Sequence, residues 1–249
     1  MKVSFKGDDE IPRLESGIPG FDELAWDKKT DEGGIPESTA TLIYGPPKTG
    51  KSIFCYQFMY RGLQKDEPCL YLLTDYGLSQ LDQNGVNLNL FLQQYVQKET
   101  LYVVDALSKL SRGKISDTNT YKLSSLNNPT DLMVKVGVGT RFVFSKSPKF
   151  RSIFDSLTTS FAFNPDRLVI RILKAYIKRI KDAGGTSVIM YTEGVATPET
   201  EEMIKENVDN IIRLDGEFIT IESMIGIKKK KAHYEITDSG IIIGEELNE

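Results

Sequence analysis

Eight consecutive residues, Gly45, Pro46, Pro47, Lys48, Thr49, Gly50, Lys51 and Ser52, match G-x-x-x-x-G-K-[ST] at every fixed position. These residue types at this spacing are suited to polyphosphate. Backbone N–H groups of a glycine-bearing turn at the start of a helix make a nest for an anion. Lys51 adds a full positive charge aimed at the β- and γ-phosphates, and Ser52 offers a hydroxyl to Mg2+. The octapeptide is the expected binding loop for a nucleoside triphosphate and its magnesium ion.

A loop of this kind needs a strand before it and a helix after it. Residues 40–44, Ala-Thr-Leu-Ile-Tyr, are a short β-rich run, and residues 53–60 are apolar at helical spacing. Further apolar runs at 70–74, 101–105, 151–155 and 186–191 read as buried strands, with a polar helix-like segment at 90–97. The clearest helix follows Asn164-Pro165-Asp166. Leu168, Val169, Ile172, Leu173, Tyr176, Ile177 and Ile180 form one stripe, and Gly184-Gly185 ends it. Strands alternating with helices predict a mainly parallel sheet flanked by helices on both faces, an α/β architecture. From 211 onward the pattern becomes strand-like, with runs at 211–214, 218–221, 234–237 and 241–243, so C-terminal antiparallel strands are expected. Residues 108–148 read as a loop with one short helix over a sheet edge, because Gly137 and Gly139 weaken any longer helix. A partner-binding insertion is the alternative there.

Composition narrows the class. The 249 residues fit one parallel α/β core, and a net charge of −4 gives no overall pull toward nucleic acid or anionic membrane. No apolar run approaches the ~20 residues that span a bilayer. Residues 1–6 lack the apolar stretch of a signal peptide, so the cytoplasm is the expected compartment. The two cysteines, Cys55 and Cys69, read as small core residues.

Ser16-Gly17-Ile18-Pro19-Gly20-Phe21-Asp22-Glu23-Leu24, then Gly33-Gly34-Ile35-Pro36 and the phosphate loop, resemble the N-terminal half of a KaiC-like ATPase domain of the RecA superfamily. The likeness continues through Leu73-Thr74-Asp75, residues 104–108, residues 153–158, residues 208–214 and residues 234–241. It implies a RecA-like P-loop fold over 1–249 as a single domain, with ATP and Mg2+ as cofactors. A homo-oligomer is also implied, a hexamer by family likeness. Two departures are structural. Residues 26–32 form a charged insertion, read as a longer surface turn, and Lys48 replaces a common glycine.

The third departure concerns catalysis. Hydrolysis needs a carboxylate that orients water near the strand beside the phosphate loop. The resemblance implies paired glutamates, whereas this chain has Asp75-Tyr76. Asp75 is one methylene shorter and has no second acid beside it, so the expectation is slow hydrolysis. The alternative makes Asp75 a cap for a helix starting at Gly77-Leu78-Ser79. Asp155 matches the family's metal-side acid, expected to hold Mg2+ with Ser52, and Ser156 assists. Thr192-Glu193 falls where RecA-type folds sense the γ-phosphate, so Glu193 is the second catalytic candidate, with a solvated loop acid as the alternative.

Cations form two clusters. Lys228 to Lys231 falls where the resemblance implies basic residues reaching a neighbouring subunit's ATP. Lys229, Lys230 and Lys231 are the candidates, and a solvated strand end is the other reading. Arg167, Arg171, Lys174, Lys178 and Lys181 share one helix face opposite the apolar stripe, which suits solvent or an acidic or nucleic-acid partner. His233, the only histidine, has no companion ligands. The expected function is a slow ATPase acting as an oligomeric or regulatory switch. The alternatives are a recombination-mediator-like protein that uses ATP to grip DNA, and a scaffold that binds ATP without hydrolysis. No aromatic-rich basic stretch supports the DNA reading.

Overall fold

The computed structural model describes residues 11–108 and 116–247. The N-terminal stretch 1–6 and residues 109–115 of the illegible region lie outside the described residues. In chain order the elements are β1 (Arg13–Leu14), α1 (Phe21–Leu24), β2 (Trp26–Asp27), β3 (Glu32–Gly33), β4 (Ile35–Pro36), β5 (Ala40–Gly45), α2 (Lys51–Gln64), β6 (Cys69–Leu73), α3 (Leu78–Asn87), α4 (Gln93–Gln97) and β7 (Leu101–Asp105). Then come β8 (Tyr121–Leu123), α5 (Pro129–Lys146), β9 (Arg151–Asp155), α6 (Leu157–Phe163), α7 (Asp166–Asp182), β10 (Thr186–Thr192), α8 (Pro198–Glu206), β11 (Asn210–Leu214), β12 (Phe218–Ser223), β13 (Lys230–Thr237) and β14 (Gly240–Glu246).

Ten strands form one sheet in the order β14-β13-β12-β11-β5-β10-β9-β6-β7-β8. From β11 to β8 all neighbours are parallel, and β12, β13 and β14 close one side antiparallel. β5, β6, β7 and β9 are buried at every residue, as expected for a sheet covered on both faces. Phe54, Phe58 and Met59 of α2, Leu81 of α3 and Tyr95 of α4 pack on one face. Val136 of α5, Leu173 and Tyr176 of α7 and Ile204 of α8 pack on the other. The chain is thus an α/β protein of the expected RecA-like architecture. Each buried large apolar side chain on α7 contributes about 1.5–3 kcal/mol of transfer free energy, which explains why its stripe dominates its stretch of sequence.

Strand order also explains how the site assembles. After β5 the chain crosses β10 and β9 before entering the sheet as β6, so α2 lies over the intervening strands. The C-terminal ends of β5, β6, β9 and β10 therefore open at one rim, where an α/β sheet holds its ligands.

Two expectations are corrected. The region expected to be a loop with a short helix contains α5, a helix of 18 residues capped by Asn128, whose side chain accepts from Asp131 N. Its glycines mark packing. A Cβ on Gly139 would stand 2.7 Å from Leu70 Cδ1 and 2.8 Å from Tyr102 Cδ1, so only glycine lets α5 sit this close to the sheet. The charged insertion is also more than a surface turn. It folds as the β2–β3 hairpin, and Asp27 forms a buried ion pair with Arg13 at 2.9 Å.

The Ser16–Leu24 motif runs along the outer rim of β14. Pro19 O accepts from Ile243 N at 2.8 Å. Gly20 has φ 81, and a Cβ there would lie 2.1 Å from Ile243 O. That position takes glycine for both reasons.

Candidate nucleotide-binding site

The phosphate loop connects β5 to α2 as the motif requires. Gly50 is the N-cap of α2, with a left-handed backbone and no side-chain cap, so the first N–H groups of the helix point into the loop. Lys48 adopts a left-handed conformation, with φ 64, and its side chain is exposed. Thr49 Oγ1 donates to Pro46 O at 3.0 Å. From the far side, Tyr234 OH donates to Thr49 O at 2.6 Å and accepts from Gly216 N at 3.0 Å, which ties the loop to β13.

Lys51 is buried, with only 5% of its surface exposed. Its Nζ donates to Gly45 O at 3.0 Å and also to Pro46 O. Burial pushes the ammonium down to about 8, against the pull of Glu193. A polyphosphate placed in the nest would replace both carbonyl contacts and favour the charged form further.

Asp155 ends β9 and is fully buried. Its Oδ2 accepts from Tyr71 OH at 2.8 Å and from Tyr76 OH. Tyr76 OH in turn lies 2.6 Å from Tyr56 OH, which accepts from Asn84 Nδ2 at 2.9 Å. Burial raises the Asp155 carboxyl to about 6 against the opposing effect of the tyrosine hydroxyls. Its Oδ1 is buried without any hydrogen-bond partner. An orphaned carboxylate oxygen of this kind suits a hard, hydrated cation.

Ser52 lies at the same rim. Phe154 pairs with Ile189, so Asp155 and Met190 are the next residues along their strands, and Ser52 Oγ is 3.3 Å from Met190 Sδ. No cluster of three or more His, Cys, Asp or Glu that would cage a metal occurs among the described residues. The donor set therefore fits Mg2+ held by one hydroxyl, one acid and phosphate oxygens.

Asp75 lines the cleft together with Lys51, Ser52, Met190 and Thr192. Its carboxylate accepts from Ser156 Oγ at 3.0 and 3.1 Å and from Thr159 Oγ1. The helix-cap alternative fails, because Asp75 does not bond the start of α3. Asp105 Oδ2 accepts from Leu78 N instead, at 3.3 Å.

Two other candidates are differently placed. Glu193 is engaged by Arg213, whose Nε and Nη2 reach it at 3.2 and 3.1 Å. Thr192, rather than Glu193, lines the cleft, and the Glu193 carboxylate is held in an ion pair with Arg213. In the lysine run, Lys230 pairs with Glu246 at 3.0 Å and Lys231 Nζ sits 3.7 Å from the Phe218 ring centroid. Lys228 and Lys229 are exposed, which leaves Lys229 as the free member of the three candidates. The Tyr56–Tyr71–Tyr76 group and Thr159 were not among the sequence candidates. Their positions are far apart in the chain and follow no motif spacing, and the only available signal was Tyr76 standing where the resemblance implies an acid.

Comparison with known proteins agrees with this geometry. Residues 14–248 match the family described as "ATPase: KaiC". A UPF0273 protein of Pyrococcus furiosus is 30% identical, with 94% of each chain covered. One from Methanopyrus kandleri is 31% identical, with 95% of this chain and 93% of the other covered. The circadian clock oscillator protein KaiC of Parathermosynechococcus lividus is 28% identical over 94% of this chain but only 42% of its own length. In fold, the chain is similar to a KaiC-like protein from Pyrococcus horikoshii, with a TM-score of 0.71, 22% identity and coverage of 94% of this chain and 100% of the other. The chain accordingly belongs to the KaiC ATPase family.

Proposed function

We propose that this chain is an ATP-binding switch that needs Mg2+, hydrolyses ATP slowly and changes its self-association with nucleotide state. The observation that carries the reading is Asp75. It is a single exposed carboxylate at the cleft beside Lys51 and Ser52, with its second-acid neighbour replaced by Tyr76, whose hydroxyl turns away to Asp155.

In this reading Lys51 leaves the Gly45 and Pro46 carbonyls and bonds the β- and γ-phosphates, while the N-terminus of α2 cradles them. Asp75 accepts a hydrogen bond from water and takes up its proton as the γ-phosphoryl group departs. Ser156 and Thr159 hold the carboxylate in place through their hydroxyls. A short side chain and no second acid both favour slow turnover. Ser52 and Asp155 would hold Mg2+, which supplies charge neutralisation across the phosphate oxygens when bound. Lys229 is the cation left to reach a neighbouring subunit in a homo-oligomer, with a hexamer as the family-like assembly.

The test is a single-turnover assay with radiolabelled ATP, paired with sedimentation in the presence and absence of Mg-ATP. The reading expects slow but measurable phosphate release and a nucleotide-dependent change in size. Tight ATP binding with neither effect would make the chain an ATP-binding scaffold instead.

A further inference from the structure

α5 and α7 lie side by side on the face of the sheet opposite α2, and a groove of about 760 Å³ runs between them. Its floor is apolar, made by Met133, Val134, Leu168, Ile172 and Ala175. Val134 is 57% exposed, unusual for an aliphatic residue in a well-packed helix pair. The rim is cationic, with Arg141, Arg171, Lys174 and Arg179. None of these four has a hydrogen bond or ion pair with another described residue. Several other surface cations are matched: Arg61 and Lys65 pair with Glu15, Lys146 with Glu99, and Lys181 with Asp209. Four unmatched positive charges around one apolar trough stand out in a chain of net charge −4. Gly137 helps form the trough. A Cβ there would lie 2.9 Å from Arg179 Nη1, so the missing side chain lets the guanidinium lie across α5.

We propose that this groove docks an acidic amphipathic helix of a partner protein. The helix would place its apolar side on Met133, Val134 and Leu168 and its carboxylates on Arg141, Arg171, Lys174 and Arg179. The groove is lined from Pro129 to Arg141 on α5 and from Leu168 to Arg179 on α7, a trough about 18 Å long with room for a helix of about 12 residues. An apolar floor between cationic rims is the complement of a helix with an aliphatic stripe flanked by Glu or Asp. Single-stranded nucleic acid is the poorer match, because base stacking needs aromatic platforms and no aromatic side chain lines the groove. The surface lies across the sheet from the helix that follows the phosphate loop.

Fluorescence anisotropy tests this on the intact chain at ~0.15 M salt. The probe is a labelled peptide of about 18 residues with Leu at i, i+3, i+4 and i+7 and Glu on both flanks. Controls are a peptide of the same composition with its leucines scattered, and a labelled oligo(dT) strand. The amphipathic peptide is expected to bind. Arg171→Glu combined with Lys174→Glu should weaken it by about tenfold or more, and Val134→Glu should also weaken it, with melting temperature and ATP affinity unchanged. No binding of the amphipathic peptide, or equal binding of the scattered one, overturns the proposal. So does oligo(dT) binding that disappears in the double variant, which would assign the groove to nucleic acid. Self-association of the chain alone that is lost in the double variant would assign it to a second copy and overturn the proposal as well.

Discussion

Tyr76 donates its phenolic hydroxyl to Oδ2 of Asp155, the same oxygen that Tyr71 reaches at 2.8 Å, and leaves Oδ1 as the unpartnered acceptor. A residue standing where relatives are expected to have an acid thus orients the acid one strand away. Tyr76→Phe keeps the ring and removes one hydroxyl. The Mg2+ concentration needed for ATP binding should rise by about fivefold, the scale of one hydrogen bond of ~1 kcal/mol, with metal-free ATP affinity unchanged. Calorimetric titrations of ATP at several Mg2+ concentrations check this, and superimposable Mg2+ curves would remove Tyr76 from the metal side.

Lys51→Ala removes the only buried cation of the loop. ATP affinity should fall by about 100-fold or more, corresponding to ~2.8 kcal/mol. Unchanged affinity by calorimetry would show that the nucleotide sits elsewhere.

Asp155→Asn retains the shape and the tyrosine contacts but loses the charge. Nucleotide binding without metal should survive, while the gain in affinity on adding Mg2+ should largely vanish. Mn2+ binding followed by electron paramagnetic resonance gives a second readout that does not depend on turnover.

Asp75 is tested in both directions. Asp75→Asn should slow hydrolysis while sparing ATP affinity, because an amide cannot take up the proton. Asp75→Glu lengthens the reach and should raise turnover by about tenfold, or ~1.4 kcal/mol of barrier. Equal single-turnover rates for the three proteins would leave Asp75 with no part in the chemistry.

Gly139→Ala sets two effects against each other. Alanine gains about 1 kcal/mol in helix propensity, but its methyl group overlaps Leu70 and Tyr102, and overpacking typically costs about 1–3 kcal/mol. Net destabilisation is expected in urea unfolding. A more stable variant would mean that α5 tolerates a wider separation from the sheet.

What could be read from the sequence followed the strength of local patterns. The phosphate loop and the α7 stripe were legible because spacing alone determines them. α5 was hidden because its two glycines serve tertiary packing, which propensity reads as weakness. In the 90–97 stretch the helix begins only at Gln93, and a longer helix, α3, precedes it at 78–87. The site was half legible. Asp155 and Asp75 stand at strand ends and carry motif signals, whereas Tyr56, Tyr71 and Tyr76 act on Asp155 through contacts that exist only after the sheet has formed. Glu193 looked free because its partner, Arg213, lies on the far side of β5 in strand order.

The Pro19–Gly20 turn along β14 has a consequence for the state of the protein in a crowded solution. Among the described residues the ten-stranded sheet ends in two outer strands, and an open strand edge is a template on which another chain can add a strand. One rim is β8, only three residues long, too short to recruit much. The other, β14, runs for seven residues and carries an outward Ile242. There the Pro19 carbonyl already takes the Ile243 amide, and Gly20 lies flat against Ile243 O. The glycine-proline signature therefore guards this part of the edge against edge-to-edge aggregation, and the exposed Glu245 adds negative charge where that guard ends.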